Sequence, residues 1–123
     1  MPKKTTKNLN LLTIRFPIPA LVSILHRMSG VVLFVLMPFL VMAFCNSLTS
    51  PLLYKMTITQ LSSFPFIAIL YLMVWGLIHH LIAGTRHLLL DMQIGNDLIV
   101  ARLSSQSVLV LSCVGTFLAV YFL

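Results

Sequence analysis

Gly76, His80 and Gly84 have the spacing of a cofactor-binding stripe on a helix. Residues four apart lie on the same helix face, so the imidazole stands between two positions that carry no side chain. A flat macrocycle has room to lie against such a stripe, and haem iron takes histidine as an axial ligand. The pattern predicts a haem site with His80 as its ligand. Small residues four apart are also typical of close crossings between membrane helices, and the spacing alone leaves that alternative open.

Two further histidines, His79 and His87, accompany His80 on the same predicted helix. His79 points about 100° away from His80, so the two imidazoles cannot bind one iron from one helix. Because Trp75 and Ala83 replace the glycines around His79, we expect a hydrogen-bonded or interfacial role for it. His87 lies on nearly the same face as His80, where it either contacts a haem propionate or is solvated.

A second polar group precedes the first long apolar stretch. Ser23, Arg27 and Gly30 follow the i, i+4, i+7 pattern of one helix face, with His26 at its border. A hydroxyl, a permanent cation and an imidazole on one side of a helix predict a site for a carbonyl or carboxylate ligand. In the alternative interpretation, Arg27 extends to lipid phosphate and Ser23 bonds a carbonyl of its own helix.

The composition shows which kind of protein must position these residues. Of the 123 residues, 59% are hydrophobic and 8% are charged, and the mean hydropathy is +1.06. Soluble domains carry about 25% charged residues, so this chain is an integral membrane protein. The same numbers exclude a disordered chain, and two cysteines exclude a disulfide scaffold. The basic residues flank apolar stretches, which indicates membrane topology rather than nucleic-acid binding.

The apolar stretches predict an all-α membrane protein with three transmembrane helices, at about 19–47, 64–91 and 105–123. Pro17 and Pro19 suit the entrance of the first helix, and Pro65 opens the second. Polar residues at 48–63 and 92–104 are interpreted as connections. Residues 1–18 are expected to form a polar segment outside the membrane, without the apolar core of a signal peptide.

Most basic residues lie on one side of the predicted spans: Lys3, Lys4, Lys7, Arg15, Arg27, Arg86 and Arg102. Lys55 lies on the other side. The positive-inside rule therefore predicts a cytoplasmic N terminus and a C terminus on the outer side. In this topology the polar residues of the first two helices share the cytoplasmic half of the bilayer, where ionisable side chains normally mark a functional site.

Two segments, TIRFPIPALVSILHRMSG (Thr13 to Gly30) and HHLIAGTRHLLLD (His79 to Asp91), resemble the signatures of a known family. That family is the cytochrome b556 subunits of succinate dehydrogenase, which are the larger membrane anchors of complex II. The close match is confined to these two segments. Elsewhere the chain agrees with the family only in the number, length and topology of its spans.

The resemblance implies an anchor that pairs with a second small membrane subunit and binds one haem b between them. A flavoprotein and an iron–sulfur protein would dock on the cytoplasmic side. No presequence rich in Arg and Ser is evident, so a bacterial inner membrane is expected. The complex would pass electrons from succinate to ubiquinone, in the respiratory chain and the tricarboxylic acid cycle. This subunit would not be an enzyme on its own, and its two cysteines cannot hold an iron–sulfur cluster that needs four ligands.

The resemblance also assigns roles to single residues. The family's haem histidine falls on His80, four residues before Gly84. His79 departs from the pattern, because relatives often have an aromatic residue there.

The quinone-site serine and arginine of the family fall on Ser23 and Arg27. His26 matches the histidine beside the haem propionates, and Arg27 and His87 are expected in the same vicinity.

Two alternatives remain. A fumarate reductase anchor would run the same chemistry toward fumarate with a menaquinol donor. A small transporter or channel subunit would line a permeation path with the polar residues. Transporters are expected to have inverted repeats or discontinuous helices, and neither is evident in the sequence.

Overall fold

The computed structural model describes residues 17–122, which form four helices and no strand. They are α1 (Ile18–Ser47), α2 (Pro51–Leu61), α3 (Phe66–Asp91) and α4 (Leu98–Phe122). Helices α1, α3 and α4 are long and apolar enough to cross a bilayer, and α2 is too short. The expectation of an all-helical protein with three candidate spans is confirmed.

Helix α1 begins where its prolines place it. Pro17 has extended backbone and precedes the first turn, and Pro19 occupies a position where a missing N–H costs no helical bond. The helix then continues through Pro38 to Ser47, close to the expected 19–47. Of the predicted N-terminal segment 1–18, residues 1–16 lie outside the described part of the chain.

The connection expected at 48–63 is largely helical, which corrects the sequence interpretation. Ser50 caps α2 by accepting a hydrogen bond from the Leu53 N–H at 3.2 Å, and Pro51 occupies the first helical position. Helix α3 starts at Phe66, near the expected 64, and α4 starts at Leu98, well before the expected 105. The polar residues at the start of α4 are therefore helical too.

Helix α3 lies between α1 and α4 and packs against both. A small core of Val22, Ala83 and Val108, one residue from each long helix, joins the three. Val22 and Ala83 are fully buried. Most large apolar side chains of the three helices are exposed, including Phe34 on α1. This surface suits lipid or another membrane subunit rather than water.

Candidate functional site

The ring of His80 lies directly on the backbone of α1. A Cβ atom at position 30 would stand 3.0 Å from the His80 Cε1 atom, closer than ordinary van der Waals contact. Gly30 therefore leaves the room that the imidazole occupies. The glycine on the polar face of α1 thus has a steric role, because the His80 ring of α3 occupies the space that a side chain would need.

Two oxygens of α1 hold the His80 ring. Its Nδ1 atom lies 3.2 Å from the Ser29 hydroxyl and 3.2 Å from the His26 carbonyl. Ser29 donates its own hydroxyl proton to the His26 carbonyl at 2.8 Å. A carbonyl can only accept, so the three contacts are satisfied together when His80 carries its proton on Nδ1. This assignment leaves the lone pair of His80 Nε2 available to a ligand.

His26 covers the other side of the His80 ring. The two imidazoles stack with their centroids 4.2 Å apart and their planes 20° apart. The His87 ring lies 5.1 Å from the His26 ring at 45°. His26, His80 and His87 therefore form one group, here called the imidazole cluster, at the contact between α1 and α3. Sequence spacing predicted their common depth but not the stacking.

The glycines of the α3 stripe face α1. A Cβ atom at Gly84 would lie 3.2 Å from His26 Nε2, and one at Gly76 would lie 4.0 Å from the Ser29 Cβ atom. In the described chain both glycines thus serve the close crossing of α1 and α3. Their contact with a haem, which a second chain would help to enclose, stays a prediction.

His79 is fully buried and points away from the imidazole cluster. Ser112 on α4 donates to the Val108 carbonyl at 2.6 Å, so it accepts from His79 Nδ1 at 3.0 Å. The imidazole also stacks on Trp75 at 5.2 Å. His79 Nε2 is buried without a hydrogen-bond partner among the described residues. His79 therefore ties α3 to α4, the hydrogen-bonded role that its position favours.

Ser23 and Arg27 meet on α1, as their spacing predicts. The Arg27 guanidinium donates from Nη2 to the Ser23 hydroxyl oxygen at 3.3 Å. Arg27 is exposed and Ser23 is partly buried. Within residues 17–122 the Ser23 hydroxyl makes no bond to a helix carbonyl, unlike the hydroxyls of Ser29 and Ser105. The Ser23 proton is therefore available to an acceptor beside Arg27.

Sequence reasoning missed the roles of Ser29 and Arg86. Arg86 is 7% exposed and spans from α3 to α4, donating to the Ser104 hydroxyl at 3.0 Å and to the Ala101 carbonyl at 3.1 Å. The sequence placed Arg86 among the topology residues and the ionisable residues of the cytoplasmic half, but did not predict its bonds to α4. Ser29 could have been noticed, because it lies beside Gly30 and one turn after His26.

Comparison with known proteins identifies the family to which this site belongs. The model of the succinate dehydrogenase/fumarate reductase transmembrane subunit family matches residues 1–119. The chain belongs to this family. The chain is also 32% identical over 129 residues to the succinate dehydrogenase cytochrome b556 subunit of Coxiella burnetii (strain RSA 493 / Nine Mile phase I). That alignment covers 97% of this chain and 96% of the relative. The resemblance carried by the two signatures is confirmed.

Family membership and the three long apolar helices together make this chain a multi-pass membrane subunit of an oxidoreductase complex. The described part of the first signature, residues 17–30, and the His80 and Gly84 positions of the second lie at the contact between α1 and α3. The first supplies Ser23, Arg27 and the oxygens that hold His80, and the second supplies His80 itself.

Proposed function

We propose that this chain is the haem b- and quinone-binding membrane anchor of a succinate:quinone oxidoreductase. In this function it passes electrons that arrive from succinate, by way of an iron–sulfur subunit, to ubiquinone. The observation that carries the proposal is the state of His80. Its Nδ1 proton is bound by two oxygens of α1, and its Nε2 lone pair is left for a ligand.

The residues present fit a haem b. Metal-ligating histidines characteristically donate their other ring N–H to a carbonyl or carboxylate, which fixes the tautomer and the ring orientation. His80 has that arrangement and is partly exposed, whereas His79, which donates from Nδ1 to Ser112, is fully buried where a macrocycle has no access to its Nε2. His80 would hold the iron through Nε2, and a partner subunit would supply the second axial ligand. A bound haem b provides one-electron redox chemistry at this position.

His26 and His87 extend the cluster beyond His80 and are proposed to lie near the haem propionates, together with Arg27. Propionates are anionic, and Arg27 is a permanent cation with free donors on an exposed side chain. Gly76 and Gly84 carry no side chain and are proposed to leave space for the macrocycle beside α3.

Ser23 and Arg27 are proposed to bind the quinone. Arg27 donates to the Ser23 oxygen, so the Ser23 proton can be donated to a quinone carbonyl. The guanidinium beside it stabilises negative charge that develops on that oxygen during reduction. Donors placed before the reaction cost no reorganisation when the charge appears, which makes this kind of stabilisation effective.

The complex is proposed to include a second small membrane subunit, an iron–sulfur subunit and a flavoprotein, in a bacterial inner membrane. The charge pattern supports a cytoplasmic N terminus, a C terminus on the outer side and docking of the soluble subunits on the cytoplasmic side. Alone, the chain would not oxidise succinate, because it is a non-catalytic subunit of the complex. The family also includes fumarate reductase anchors, and the named relative favours the dehydrogenase.

A spectrum of the assembled complex tests the proposal. We expect a b-type band in the reduced-minus-oxidised spectrum, and we expect His80→Ala to abolish it while succinate oxidation with a soluble dye continues. His79→Phe is the matched variant, because it removes the adjacent imidazole and keeps an aromatic ring beside Trp75. Retention of low-spin haem in His80→Ala, or its loss in His79→Phe alone, would contradict the assignment of His80.

A further inference from the structure

Ser29 makes a contact that its place in a helix does not require. A helical serine ordinarily bonds the carbonyl three or four residues before it, as Ser105 does with Ala101 at 2.7 Å. Ser29 makes that bond to His26, and its oxygen also lies 3.2 Å from Nδ1 of His80 on another helix. Its side chain is 2% exposed, so water does not compete for either contact.

The direction of these bonds follows from counting protons. The Ser29 hydroxyl has one proton, and the 2.8 Å contact with the His26 carbonyl uses it. Towards His80, the Ser29 oxygen can therefore only accept. Donation to the carbonyl polarises the hydroxyl, which makes its oxygen a better acceptor. Ser29 and the His26 carbonyl thus share one Nδ1 proton.

We propose that Ser29 is a positioning residue, which keeps the His80 proton on Nδ1 and fixes the ring plane so that Nε2 is presented to a haem iron. The inference rests on the proposed function, in which His80 is an axial ligand. An imidazole that donates from Nδ1 is a more basic ligand at Nε2, and a more basic ligand favours oxidised iron. Loss of the Ser29 oxygen therefore raises the reduction potential of the haem.

The test compares Ser29→Ala and Ser29→Cys in the assembled complex. Alanine removes the acceptor, whereas cysteine nearly keeps the volume and offers only a weak acceptor. Ser105→Ala is the matched control, because Ser105 is fully buried and bonds its own helix but makes no hydrogen bond to a histidine within residues 17–122. The midpoint potential is measured by following the b-type absorbance during a redox titration.

We expect both Ser29 variants to shift the preference for oxidised over reduced haem by threefold to tenfold. At 59 mV per tenfold for one electron, Ser29→Ala raises the potential by about 28–59 mV, and Ser29→Cys shifts it in the same direction. Ser105→Ala leaves the potential unchanged. Loss of haem from complexes that assemble with either Ser29 variant, but not with Ser105→Ala, also supports the proposal.

An unchanged potential in Ser29→Ala overturns the proposal while leaving His80 as the ligand. A fall in potential overturns it too, because Ser29 would then act by weakening the His26 carbonyl rather than by accepting from His80. Haem retained in His80→Ala is a different result, which refutes the proposed function itself. If Ser29→Ala does not assemble, the cysteine variant decides by the same criterion.

Discussion

A methyl group at position 30 would displace His80, the proposed haem ligand, without changing its imidazole. In Gly30→Ala the new Cβ atom would stand 3.0 Å from His80 Cε1, whereas ordinary contacts begin at 3.4 Å. The ring must therefore retreat from α1 by roughly 0.4 Å to reach an ordinary carbon–carbon contact. Its two contacts of 3.2 Å would lengthen by up to the same amount, to at most about 3.6 Å, which weakens or breaks both hydrogen bonds.

The size of the effect follows from those two bonds. Each neutral hydrogen bond contributes about 0.5–1.5 kcal/mol, so the oriented state of His80 loses about 1–3 kcal/mol. If all of that free energy is lost from haem binding, haem affinity falls by roughly 5- to 150-fold. The gain in helix propensity from glycine to alanine, about 1 kcal/mol, acts on α1 and does not restore the ring position.

The assay is the haem content of the purified complex, measured per flavoprotein after dilution and washing. Gly115→Ala is the control, because a Cβ atom there would lie 3.2 Å from the Ile78 Cγ2 atom and away from every imidazole. We expect Gly30→Ala to lose haem and Gly115→Ala to keep it. Equal haem retention in the two variants would refute the argument that α1 positions His80.

Three more variants test other contacts. Ser23→Ala raises the apparent KM for quinone several-fold with haem content unchanged, since one neutral hydrogen bond is lost; a change below about twofold would leave the serine without a role there. Arg27→Leu slows quinone reduction while the soluble subunits stay bound, and unchanged quinone kinetics would indicate a contact with lipid only. Arg86→Met removes the two guanidinium hydrogen bonds from α3 to α4. Since a hydrogen bond to a charged group contributes about 1.5–3 kcal/mol to stability, the apparent Tm of the complex falls by several degrees while its haem content stays intact. An unchanged Tm would contradict the linking role of Arg86.

The long helices could be predicted because the bilayer sets their length and the chain has few residues that interrupt them. The same search for long apolar stretches missed helix α2, because it treats Lys55 and its polar neighbours as a loop. A capping criterion would have found it, because Ser50 followed by Pro51 is a helix-start signal. The start of α4 at Leu98 was missed for the same reason, because its first turns are helical but lie before the apolar stretch.

Contacts within one helix could be predicted from spacing, as Ser23 and Arg27 show. Contacts between helices could not, because they depend on how far α3 is rotated about its own axis. The bond between Ser29 and His80 joins residues on different helices, and no period in the sequence connects them. The sequence could predict His80 as a candidate ligand from the glycines around it. The hydrogen-bond partners of His80 could be identified only from the packing of α1 against α3.

Because α1 is continuous, the number of residues between Ser23 and Gly30 sets the angle between these two positions around the helix axis. Ser23 and Gly30 are joined by unbroken helix, about 10 Å long at 1.5 Å per residue. One added residue beside Met28 would turn Ser29 and Gly30 by about 100° relative to Arg27. The pair of Ser23 and Arg27 would survive, and the contact between Ser29 and His80 would be lost. The number of residues between Arg27 and Ser29 therefore matters as much as their identities, and a single-residue insertion here would uncouple the orientation of Ser29 from that of the Ser23 and Arg27 pair.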